Sequence, residues 1–197
     1  MYKRQDYSKT LELDVAGVPH VFAWGGLHGA IPKYHGEGWF VNVDVASYYP
    51  SLMLVYKWLS RNVHDPSKYA EIYHTRLKLK AEKNPMQQPY KIVLNSTYGA
   101  MKDKHNAMYD PRQANNVCVG GQLLLLDLIE RLEDHCEIIQ SNTDGILVKL
   151  RRYEDFEMLD DLCWEWEQRT GMRLEFDEFQ KVYQNCLLYT SDAADDR

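Results

Sequence analysis

Residues 138–150 read IIQSNTDGILVKL. Two short apolar runs flank a tight polar turn, which is the pattern of a β-hairpin and calls for antiparallel pairing. The turn carries an acid, Asp144, where Gly or Asn would serve the turn better. A second strand signal lies far upstream, in GWFVNVDVAS at residues 38–47. There Trp39, Val41, Val43 and Val45 alternate with Phe40, Asn42 and Asp44, a period of two, and Asp44 stands near the strand's end.

Helical patterns fill the space between these strands. Pro50 opens PSLMLVYKWLS at a tolerated first-turn position. In HDPSKYAEIYHTRLKLKAEKNP, Asp65 is placed to cap a helix, Pro66 to begin it, and Asn84-Pro85 to stop it, with a basic C-terminal half that suits the helix dipole. A second helix is expected over Pro89 to Tyr98, ending at Gly99, so that the two form a short helical hairpin. Asp110-Pro111 starts a long helix whose Gly120-Gly121 pair implies close packing or a bend. After the opening hairpin come an amphipathic helix closed by Gly171 and a last strand in RLEFDEFQKVY. The expected order is β, α, helical hairpin, α, β-hairpin, α, β, an α+β domain with an inserted helical hairpin.

The chain has 197 residues, 45% of them apolar and 26% charged, which is ordinary for a soluble core. It holds no apolar run of about 18 residues and no signal-peptide pattern at its start, so an intracellular protein without a membrane partner is expected. Cys118, Cys136, Cys163 and Cys186 are too scattered for a zinc site or a disulfide framework. The net charge of -6 argues against a simple nucleic-acid coat, yet between Arg76 and Lys104 seven basic residues meet two acids. On charge alone this is a solvated helix face; with what surrounds it, it is a candidate for meeting an anion.

Two carboxylates converging at one sheet edge repel unless a cation lies between them, and Mg²⁺ favours oxygen ligands shared with substrate phosphates. Asp44 and Asp144 are candidates for such a pair. In KIVLNSTYG, Lys91, Asn95 and Tyr98 fall on one helical face, and Arg76 and Lys80 share a face of the preceding helix. A hairpin presenting Arg76, Lys80, Lys91 and Asn95 is a candidate triphosphate clamp.

These segments resemble the motifs of family B DNA polymerases. DVASYYPSLM is similar to motif A, KIVLNSTYGA to motif B, and SNTDG stands where motif C is expected, in the family's order. WGGLHGA, residues 24–30, is similar to the Tyr-x-Gly-Gly linker that precedes the polymerase region, with Trp24 in place of Tyr. The resemblance covers about residues 24–185. It implies a polymerase palm, an antiparallel sheet with helices on one face, with a short helical-hairpin fingers subdomain inserted. The implied division is entry to the palm over 1–38, palm with motif A over 39–60, fingers with motif B over 61–104, and palm with motif C over 105–185.

The resemblance further implies template-directed DNA synthesis, with primer-template DNA and dNTPs as partners, a processivity factor as a candidate partner, and two Mg²⁺ ions as cofactor. Asp44, Asp144 and the backbone carbonyl of Val45 would hold the metals. Ser47, Tyr48 and Tyr49 would cradle the triphosphate, with the Tyr49 ring excluding a 2′-hydroxyl. Arg76, Lys80 and Lys91 would bind phosphates, Lys91 as general acid to pyrophosphate, and Asn95 and Tyr98 would line the nascent base pair. One position departs from the family: Asn142 replaces the first acid of Asp-Thr-Asp, which leaves the site one charge short. The variant is similar to those of bacteriophage polymerases, which would place the protein in the cytoplasm of a bacterial host.

The final residues, CLLYTSDAADDR, supply no periodicity, cap or core face. From Cys186 they match, in frame, a transposase adapter used to prepare sequencing libraries, so the natural sequence is expected to stop at about Asn185, as part of a longer protein. A disordered acidic tail is the alternative. An exonuclease would precede this segment and a thumb follow it, and without the thumb the chain is expected to synthesise DNA weakly. A non-catalytic nucleotide-binding palm remnant is the rival that Asn142 keeps alive, and a polymerase of another class is a further one.

Overall fold

Period-two alternation, where it is strong, becomes strand. In the computed structural model, which describes residues 9–183, GWFVNVDV lies within β4 (His35–Val45), and the hairpin is β5 (Glu137–Asn142) and β6 (Gly145–Leu150) around a two-residue turn. The last strand, β7, is Leu174–Tyr183. Ahead of these stand three strands that the expected order omits: β1 (Leu11–Val15), β2 (Val18–Ala23) and β3 (Gly26–Ala30). The seven form one sheet in the order β1-β2-β3-β5-β6-β4-β7, with each neighbouring pair antiparallel. The adapter-like residues 186–197 lie outside the described residues.

Among the described residues five helices complete an α+β fold: α1 (Tyr48–Val55), α2 (Pro66–Ala81), α3 (Gln87–Lys102), α4 (Pro111–Leu132) and α5 (Asp155–Thr170). The chain divides into two compact units. Of the described residues, one takes 9–46 and 121–183, and the other takes Ser47–Gly120.

The first unit is built on the sheet. Across β4 and β6, Val41 opposes Val148 and Val43 opposes Ile146, and all four are buried. Opposed residues share a face, so the intervening positions Asn42 and Asp44 project from the other one. In α4, Leu125, Leu128, Ile129 and Leu132 form a buried stripe, and in α5 Leu159, Cys163 and Trp166 do the same. The Trp166 indole donates to the Leu124 carbonyl at 3.2 Å, which joins the two helices. Each such side chain contributes about 1.5–3 kcal/mol on burial. Gly171 closes α5 in the left-handed conformation at φ 72, as its position predicts.

The second unit is helical. Asp65 caps α2 by accepting from the Ser67 amide at 3.1 Å, and Pro66 begins the helix. The Tyr69 hydroxyl donates to the Leu94 carbonyl, which ties α2 to α3. Several boundaries differ from expectation, among them that α3 begins at Gln87 rather than Pro89 and α2 ends at Ala81, ahead of Asn84-Pro85. Helix α1 begins at Tyr48 rather than Pro50, with Ser47 in the left-handed conformation as its cap residue. Helix α3 does not stop at Gly99 but runs to Lys102. Gly99 is exposed there with open space around it, and the buried Met101 gives the last turn a packing reason to form. Gly120 meets the prediction of close packing, since a Cβ at this position would run into the Trp58 ring.

Candidate functional site

Asp44 and Glu175 lie in one row of the sheet with Gly145 and Asn142. Asp44 opposes Gly145 on β6 and Glu175 on β7, and Asn142 opposes Gly145 from β5. A Cβ on Gly145 would collide with Asp44 Oδ1, so the glycine is a spatial requirement of the carboxylate beside it. It is not there for an unusual backbone angle: among the described residues Thr143, Asp144 and Gly145 are absent from those with positive φ. Here lies the reason the hairpin does without the Asn-Gly pair of a type I′ turn.

The end of β4 is tied to the hairpin tip. The Val45 amide donates to the Asp144 carbonyl at 2.7 Å. This bond makes neighbours of Asp44 and Asp144, a hundred positions apart in sequence, and Asp144 is exposed while Asp44 is half-buried. Burial pushes the Asp44 carboxyl up to about 6, the repulsion of Asp144 adds to this, and Asp177 and Glu175 add further. A hydrogen bond from Asn42 Nδ2 at 2.6 Å opposes the shift. The ionised form of Asp44 is therefore short of positive charge.

Oxygen donors fit a hard cation such as Mg²⁺, and a carboxyl held above its ordinary range is a group that a cation would relieve. Asp44 and Asp144 are a two-carboxylate arrangement. Among the described residues no three His, Cys, Asp or Glu side chains converge as a metal-holding group. The charge missing at Asn142 has a counterpart from another strand, because Glu175 and Asp177 stand opposite Asp44 and Asn42. Neither acid belongs to the motifs; strand register brings them opposite Asp44 and Asn42.

In the helical unit, the Arg76 guanidinium is buried and hydrogen-bonded to the Ser47 hydroxyl. The Tyr49 and Tyr98 rings stack at 4.3 Å with an interplanar angle of 22°, and Tyr48 meets Tyr49 at 5.2 Å. Lys102 Nζ lies 4.5 Å from the centre of the Tyr98 ring. Burial pushes the Tyr98 hydroxyl far above the usual phenol range, so this tyrosine stays neutral. Lys80 and Asn95 are exposed and Lys91 is half-buried. The fold thus joins Ser47 to Arg76 and Tyr49 to Tyr98. Lys80 and Arg76 share α2, and Lys91 and Asn95 share α3.

Over 97 residues the chain is 29% identical to DNA polymerase II of Escherichia coli (strain K12). The matched stretch is 48% of this chain and 12% of that polymerase, so the chain corresponds to a small part of its relative's length. No protein-family model matches the chain. The similarity is partial, and it is to a DNA polymerase. Among the described residues no helix is long and apolar enough to cross a membrane.

Proposed function

We propose that this chain is the palm and fingers segment of a family B type DNA polymerase, which transfers a nucleotide from a dNTP to a primer 3′-hydroxyl. The observation that carries this reading is the bond from the Val45 amide to the Asp144 carbonyl, which sets Asp144 beside an Asp44 carboxyl raised by burial and by that second acid. The motif order and the partial similarity to a DNA polymerase support it from the sequence side.

In this reading Asp44, Asp144 and the Val45 carbonyl hold Mg²⁺. Bound metal would activate the primer hydroxyl and neutralise charge on the triphosphate and the leaving pyrophosphate. Ser47, Tyr48 and Tyr49 cradle the triphosphate at the start of α1, and Arg76, held by Ser47, adds a fixed guanidinium for phosphate oxygens. Lys80 and Lys91 bind phosphate, and Lys91 delivers a proton to the departing pyrophosphate. Tyr49, stiffened by its stack on Tyr98, excludes a 2′-hydroxyl, and Asn95 and Tyr98 line the nascent base pair.

The test is Mg²⁺-dependent dNTP incorporation on a primed template by a polymerase that carries this segment. Asp144→Asn is expected to lower kcat by at least about 10²–10³-fold. A second reading, a nucleotide-binding module without catalysis, is favoured by Asn142. It would be marked by dNTP binding with no incorporation and no sensitivity to Asp144→Asn.

A further inference from the structure

Asn142 is the position at which the chain departs from the motif it resembles, and its neighbour in the fold is a histidine that the polymerase reading leaves without a role. Strand β3 pairs with β5 through Gly29 opposite Ser141 and Ala30 opposite Gln140. One step outward, the same register sets His28 against Asn142, the last residue of β5. The His28 Nε2 lies 3.4 Å from Thr143 Oγ1, within hydrogen-bond reach. Asn142 Oδ1 in turn accepts the Thr143 amide at 2.9 Å.

Thr143 is also enclosed from below. A Cβ on Gly26 would stand 2.9 Å from Thr143 Oγ1 and 3.0 Å from its Cγ2, so the β3 backbone lies directly against this side chain. The first residue of the turn is therefore buried and gripped from β3, whereas the second, Asp144, is exposed and anchored by the amide of Val45.

We propose that His28 is a positioning residue: through Thr143 it holds the turn that presents Asp144, and the amide at position 142 shares that grip. An aspartate at 142 could accept the Thr143 amide equally well. It would also set a further negative charge in the row that already holds Asp44 and Glu175, next to Asp144. The amide makes the same bond without the charge, and the imidazole supplies the second anchor. Asn142 is then part of the grip on the turn rather than a lost ligand.

The role in catalysis rests on the proposed polymerase function, but the grip on the turn does not, and the two are tested separately. Hydrogen exchange of the Val45 amide in this 197-residue chain reports whether the tip is held, with the amides in the middle of β4 as internal reference. His28→Phe fills the space without bonding Thr143 and is expected to speed Val45 exchange about tenfold while the mid-strand amides stay unchanged. His28→Gln, which keeps a hydrogen-bonding amide, is expected to return the rate to within about threefold of the parent.

Parent-like exchange in His28→Phe overturns the proposal. So does uniform acceleration along β4 in both variants, which would make His28 a general packing residue. In a polymerase carrying the segment, His28→Phe should lower kcat with little change in KM for dNTP, and His28→Gln should restore it. If the parent polymerase incorporates nothing, the proposed function fails while the exchange result still decides the role of His28.

Discussion

At the residue scale, Gly145 separates a turn requirement from a site requirement. Its backbone angle is open to any residue, yet a methyl group there meets Asp44 Oδ1. Gly145→Ala should therefore leave the hairpin paired while turning the Asp44 carboxylate out of its place. Overpacking of this kind costs about 1–3 kcal/mol, less where a side chain can swing aside. The expected outcome is a modest fall in the thermal midpoint with a far larger loss of divalent-ion affinity, measured by calorimetric titration. Equal loss of both would mean that Gly145 serves the fold alone. The raised Asp44 carboxyl also sets a sign for pH. Between its ordinary value of 3.8 and about 6 the folded chain keeps a proton that the unfolded chain has released. This contribution to stability is complete below 3.8 and is lost as pH rises through about 6, unless a cation takes the proton's place.

At the element scale, an ion pair between Arg61 and Asp110 pins the start of α4. Asp110, at the start of α4, is buried and receives both Nε and Nη2 of Arg61 at 2.8 Å, together with the Arg61 amide at 3.0 Å. Those bonds hold its carboxyl down at about 2. Asp110→Ala removes the partner of Arg61 and an acceptor for the first turn of α4, and is expected to cost about 2–3 kcal/mol in urea unfolding at pH 7. Because the folded value is depressed, this stability is present above the unfolded value of 3.8 and falls away as pH drops through about 2. A parent-like unfolding midpoint for Asp110→Ala would contradict the assignment.

At the scale of the whole molecule, what the sequence shows and what it hides have physical causes. The cap of α2, the left-handed Gly171 and the strong alternation in β4 are local signals, and each is where its chemistry says it should be. In β1, Leu11, Leu13 and Val15 alternate with Glu12 and Asp14, a period-two signal that the expected order omits; the strand is exposed along most of its length, with Leu11 and Leu13 facing solvent. Its hairpin turn places Ala16 at φ 55, beside Gly17 at φ 73, where Asn would have been the readable residue. The candidate site was legible in Asp44 and Asp144 because motif spacing names them. Glu175, Asp177 and His28 were not, because they enter through strand register, and register is a property of the assembled sheet.

In the proposed function Asp44 and Asp144 share a divalent cation. Mn²⁺ binding to this chain, followed by calorimetric titration from pH 7.5 to pH 5, tests it most directly. The account predicts binding that is lost in both Asp44→Asn and Asp144→Asn, and that weakens by up to about tenfold per pH unit as protons reclaim Asp44 below pH 6. Binding that survives either substitution, or that is indifferent to pH across this range, would contradict it.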